Sequence, residues 1–208
     1  MSSEKYFYEP KLGHGLSHDP FNSIIAPRPI GWISSKDKLG QVNLAPYSFF
    51  NAFNYHPPLI GFSSVGYKDS VRNIEQTGQF CWSLVSQDLA ERMNTTSASV
   101  GADVDEFELA NLIKQQGKRV DVPFVAQSPV AMECLLSDII QLKGASGEKC
   151  DSWLVIGEVV GVHIQQHLIQ QGVYSTSAAK PILRGGGPGD YFTFNDEAKF
   201  QMFRPNQG

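Results

Sequence analysis

The stretch Asn43-Leu44-Ala45-Pro46-Tyr47-Ser48-Phe49-Phe50 decides how the chain is read. Leu, Tyr and Phe suit a pleated, half-buried surface, so the segment opens as a strand. Pro46 interrupts it, because proline has no N–H for a ladder and belongs at an edge, a bulge or a strand end. A strand that runs into a kink leaves backbone amides and carbonyls unpaired, and these must find water, a side chain or a ligand. Asn43, Tyr47 and Ser48 add polar groups beside aromatic faces. Two readings stay open. One is a bulged barrel strand with solvated polar groups. The other is an apolar wall with a few convergent hydrogen-bonding groups, which is what a flat heteroaromatic ligand requires.

Upstream, Pro27 and Pro29 give an irregular entry and residues 30–35 read as a strand. Lys36-Asp37-Lys38-Leu39-Gly40 is a polar turn ending in glycine, a hairpin signature that places Ser34 and Ser35 near Asn43 and Ala45. Downstream, His56-Pro57-Pro58 stops the element and residues 59–65 form the next strand. After Gly66, Asp69 or Ser70 is a good N-cap for a short amphipathic helix carrying Val71 and Ile74. A helix start offers free N–H groups and a positive dipole end, a natural anion site. Lys68 supplies a cation there and Ser70 a hydroxyl, while Asp69 is expected to cap the helix and point away. The plain alternative is a capped surface helix.

The remaining pattern is strand-rich. Residues 79–85 read as a strand and 87–97 as a helix with Leu89, Ala90 and Met93 on one face. The acidic run at 103–108 reads as a solvated loop or helix start, and 106–113 as a short helix closed by Gln115-Gln116-Gly117. Residues 128–142 and 153–165 are long strands joined by a polar hairpin at 144–151. His163 and His167 fall at a strand end and read as ordinary surface or rim side chains. His14 and His18 lie among helix breakers, and no metal is expected. Arg184-Gly185-Gly186-Gly187-Pro188-Gly189-Asp190-Tyr191 lacks the Gly-Lys-Ser/Thr ending of a phosphate loop and does not open a dinucleotide-binding unit. It reads as a place of tight folding or close backbone approach. Many strands at hairpin spacing with short helices predict a mainly β protein, a closed or nearly closed antiparallel barrel.

At 208 residues the chain suits one domain (23–208) preceded by an arm at 1–22. A net charge of −4 argues against nucleic acid or an anionic membrane as partner. Neither a signal core nor a membrane span is visible. Cys81, Cys134 and Cys150 are an odd set without a Cys-x-x-Cys pair, which points to a reduced, cytoplasmic setting.

The segment Pro27-Arg28-Pro29-Ile30-Gly31-Trp32-Ile33-Ser34-Ser35 followed by Gly40 to Phe50 resembles the flavin reductase family with an FMN-binding split barrel. The likeness continues at Pro57-Pro58, Lys68-Asp69-Ser70-Val71-Arg72-Asn73-Ile74, Asp105-Glu106-Phe107-Glu108, Glu133-Cys134, Gly157-Glu158-Val159 and Arg184 to Tyr191. It implies a Greek-key split barrel and a homodimer with FMN near the interface. It also implies hydride transfer from NADH or NADPH to flavin, with reduced flavin passing to a partner monooxygenase. Alternatives are an FMN-binding protein without turnover, or an oxidase of the pyridoxamine-phosphate type. By resemblance, Ser34 and Ser35 lie beside the flavin. Asn43, Ala45, Pro46, Tyr47, Ser48 and Phe49 line the ring and ribityl chain, and Ser63, Ser64, Lys68 and Ser70 hold the phosphate. Family members often carry Thr where Ser35 and Ser70 stand. No catalytic side chain is assigned, and Arg184 and Tyr191 are expected on the substrate side.

Overall fold

A computed structural model describes residues 4–205. The first three residues of the expected arm and the last three of the final segment lie outside the described residues. A single turn, α1 (Phe21–Ile24), precedes the hairpin of β1 (Gly31–Lys36) and β2 (Val42–Tyr47), then β3 (Phe50–Asn54) and β4 (Leu59–Val65). Helix α2 (Asp69–Thr77) leads to β5 (Gln79–Ser83), α3 (Ala90–Thr95) and α4 (Glu106–Leu109). A small ladder of β6 (Lys114–Gln116) and β7 (Pro123–Val125) comes before the long hairpin of β8 (Val130–Lys143) and β9 (Lys149–Ile164).

Among the described residues seven strands form one sheet in the order β2-β1-β5-β8-β9-β4-β3, and neighbouring strands all pair antiparallel. The edge strands β2 and β3 are consecutive in the chain, with only Ser48 and Phe49 between them. The sheet therefore has to curl until its edges approach. The Tyr47 ring of β2 meets the Phe62 ring of β4 at 4.4 Å, and the Ser63 N–H, donating to the Phe49 carbonyl at 2.8 Å, carries the β3–β4 ladder up to the kink. The result is the expected mainly β Greek-key split barrel, a curled antiparallel sheet whose two ends come together at the kink.

The β1–β2 register pairs Ser35 with Asn43 and Ile33 with Ala45, as the hairpin reading requires. Strand β1 is buried on both faces. Ile33 packs into the core with Phe62, Phe80 and Val155, while Trp32 packs with Leu44, Met93 and Phe107 beneath α3 and α4. Helix α2 buries Val71 and Ile74 and ends at Gly78, whose left-handed φ of +71° lets its N–H reach the Ile74 carbonyl at 2.8 Å.

Three expectations on helices are corrected. The N-cap of α2 is Lys68, and the Asp69 carboxylate pairs with Arg72 at 2.6 Å one turn on. The helix read at 87–97 is a tight turn at Gln87–Leu89 running into the shorter α3. The helix read at 106–113 stops at Leu109, because Asn111 turns left-handed at φ +53° and the Leu112 N–H closes back on the Phe107 carbonyl. The glycine-rich segment folds tightly as expected: a Cβ on Gly186 would sit 1.7 Å from Ser23 Oγ.

Candidate functional site

Among the described residues, strand β2 pairs only with β1, so its other edge is open. The Leu44 N–H points outward and donates to Glu106 Oε2 at 3.0 Å. Strand alternation puts the nitrogen of Pro46 on the same outward side, where its missing N–H costs no ladder bond. This edge forms one wall of a groove of about 340 Å³. The other walls are the start of α2, the hydroxyl-rich residues 96–100 and Glu106.

No side chain caps α2, since Lys68 offers no side-chain oxygen, and the first intrahelical bond runs from Arg72 N–H to the Lys68 carbonyl. The first-turn amides are left without helical acceptors and the positive dipole end faces the groove. The Lys68 ammonium is exposed and in no ion pair among the described residues. Ser70 Oγ accepts from Asn43 Nδ2 at 2.8 Å. Burial pushes the Tyr47 phenol upward in pKa, with Ser70 and Ser64 opposing through their hydroxyls. Among the residues 96–100, Thr96 is fixed from below, its Oγ1 accepting from Trp32 Nε1 at 2.9 Å and donating to the Met93 carbonyl at 2.7 Å.

The predicted site residues divide. Asn43, Ala45, Pro46, Tyr47, Lys68 and Ser70 line this groove together. Phe49 and Ser63 open instead on a second recess of about 460 Å³, beside Phe50, Phe53 and Arg28. Ser48 sits between them, its carbonyl accepting from Arg28 Nε at 3.1 Å. Ser34, Ser35 and Ser64 do not open on either. Ser34 is fully buried and donates to the Pro123 carbonyl at 2.6 Å. Ser35 accepts from Asn73 Nδ2 at 3.4 Å, and Ser64 donates to the Gly66 carbonyl at 2.8 Å. A strand covered on both faces gives its hydroxyls no route to a groove.

Sequence reasoning missed Glu106 and residues 96–100. The signal present was the run Thr95-Thr96-Ser97-Ala98-Ser99, short hydroxyls with little reason to cluster in a plain loop. It also misread His163, which is no free rim side chain. Its Nε2 donates to Glu133 Oε1 at 2.6 Å, and Glu133 is 1% exposed. Burial alone would raise the Glu133 pKa. The Lys118 N–H, the His163 ring and the Arg119 and Val120 N–H groups outweigh it and hold the carboxyl at about 2. Arg184 does not reach outward either. Its guanidinium wraps the carbonyls of Gly185, Gly186, Gly187 and Asp190 and lies 5.1 Å from the centre of the Tyr191 ring.

Residues 24–182 match the model of the flavin reductase like domain. An uncharacterized protein of Halalkalibacterium halodurans is 34% identical over 187 residues, 87% of either chain. Nitrilotriacetate monooxygenase component B from Bacillus cereus superposes with a TM-score of 0.85 at 30% identity, over 97% of this chain and 100% of that one. A Shewanella frigidimarina protein with a split barrel domain superposes at 0.78, with 26% identity over 88% and 90%.

Proposed function

We propose that this chain, which belongs to the flavin reductase like domain family, binds FMN in the groove between β2 and α2 and is a reductase that oxidises NADH or NADPH. In this reading it works in the cytoplasm as a homodimer, with the flavin near the subunit interface, and provides reduced flavin to a monooxygenase. The likeness to a monooxygenase component B supports the last step.

One observation carries the reading: an uncapped nine-residue helix begins, with Lys68 and Ser70, on the same groove as the kinked edge strand. The donor set fits a phosphate monoester, because first-turn amides, an ammonium and a hydroxyl all favour a dianion. Asp69 does not spoil that fit, since Arg72 already answers its charge. The wall of Ala45, Pro46 and Tyr47 fits a flat ring, with outward β2 carbonyls at its edge.

When bound, FMN supplies the hydride-accepting chemistry, and the protein supplies binding and orientation. Lys68, Ser70 and the first-turn amides of α2 anchor the phosphate. Asn43 holds Ser70 in place, and residues 96–100 narrow the groove against water. Alignment, rather than an acid or base, is what such a transfer asks of the protein. Anaerobic mixing of the FMN-loaded chain with each nucleotide tests this. Rapid loss of the yellow colour with NADH or NADPH is expected. Colour that persists with both would leave an FMN-binding protein without reductase turnover.

A further inference from the structure

Glu106 shares the groove in which the reading above seats an anion. Its carboxyl lines the same groove as Lys68 and Ser70 and is 7% exposed. One oxygen is committed to the Leu44 N–H at 3.0 Å. The charges around it come from each neighbouring element. On its own helix, Asp105 and Glu108 are both paired by Lys114. From α2 come Asp69, held by Arg72, and the unpaired Lys68. From β2 the titrating group is the Tyr47 hydroxyl, and residues 96–100 bring none. Lys68 is thus the one cation in the groove, among the described residues, left to answer both Glu106 and an incoming phosphate.

One ammonium does not offset a buried carboxylate and a nearly doubly charged phosphate monoester together. Like charges crowded in a desolvated site are relieved when one of them takes a proton. A protonated carboxyl is also a donor, where a carboxylate only accepts.

We propose that Glu106 is a specificity-determining residue of this groove: it takes a proton from solvent as a phosphate monoester enters, and donates that O–H to a phosphate oxygen while its other oxygen keeps the Leu44 N–H. The proposal rests on the FMN reading. Burial already biases Glu106 toward its protonated form, with the Asp105 and Asp69 charges acting the same way and two backbone N–H groups opposing. A group whose pKa is higher in the bound state makes affinity fall as pH rises. The fall begins at the raised pKa of the free chain and ends at the still higher pKa of the complex.

The test titrates the chain and Glu106→Gln with FMN and with riboflavin, which lacks the phosphate, between about pH 5.5 and about pH 8.5. The ratio of wild-type to variant Kd cancels the ligand's own ionisation. For FMN the ratio is expected to climb with pH, by up to about tenfold per pH unit, and for riboflavin to stay level. Calorimetry of the unaltered chain in two buffers of different ionisation enthalpy, at a pH where that ratio is climbing, is expected to find protons taken up with FMN and none with riboflavin. Parallel pH profiles with no proton uptake would overturn the role of Glu106 and leave the flavin reading standing. Failure of the unaltered chain to bind either flavin would overturn both.

Discussion

Asn43 donates from Nδ2 to Ser70 Oγ at 2.8 Å, which ties the open edge of β2 to the first turn of α2. Two halves of the site, far apart in sequence, are set by one bond. Ser70 accepts from Asn43 and its hydroxyl faces the Tyr47 phenol, so a ligand atom here would be a second acceptor for its hydrogen. Lys68 and the uncapped amides beside it call for that acceptor to be anionic.

Replacing Lys68→Ala together with Ser70→Ala is expected to weaken FMN binding by about 1–3 kcal/mol, as for loss of charged hydrogen bonds. Riboflavin affinity should hardly move. Fluorescence titration with both flavins checks this, and equal weakening of the two would misplace the phosphate.

Ser34→Ala separates support from contact. The Ser34 hydroxyl is fully buried and serves the Pro123 carbonyl at 2.6 Å, so its loss leaves a buried acceptor unmatched. Urea unfolding should show a cost of about 1–3 kcal/mol. Flavin affinity should be unchanged, whereas direct contact with the ring would weaken it.

Glu133 gives the fold an acid-sensitive joint. Its folded pKa is about 2 against an ordinary 4.5, although burial pulls the other way. The sign follows: the stabilisation is complete above the unfolded value and is lost as pH falls from there toward 2. The shift corresponds to about 3 kcal/mol. Glu133→Gln should remove much of that at neutral pH and flatten the dependence of unfolding free energy on pH in this window. An unchanged slope in the variant would assign the acid sensitivity to other carboxyls.

Arg28→Lys is not conservative here. The guanidinium is buried and donates to the carbonyls of Asn22, Ile25, Ser48 and Gly185, drawing α1, the kink and the glycine-rich segment together. A single ammonium lacks that planar fork. Thermal unfolding should fall by several degrees, consistent with about 2–4 kcal/mol from unmatched buried carbonyls. An unchanged midpoint would mean water replaces the fork at no cost.

The fold was legible because its signals were local. Prolines, the Lys36–Gly40 turn and alternating strands placed the β1–β2 hairpin in its observed register. The lining of the candidate groove was partly legible for the same reason, as the runs Asn43 to Tyr47 and Lys68 to Ser70 both reach it. What failed depended on tertiary cover. Nothing local reveals that β1 is buried on both faces, so Ser34 and Ser35 looked accessible. Nor does spacing reveal that Glu106 returns to the Leu44 N–H, or that His163 pairs with Glu133 from the neighbouring strand.

The central claim is that the phosphate of FMN is seated at the start of α2, and comparing FMN with riboflavin on the unaltered chain tests it most directly. The account expects FMN to bind more tightly by at least about tenfold, or about 1.4 kcal/mol, near neutral pH. Equal affinity for the two flavins would contradict it.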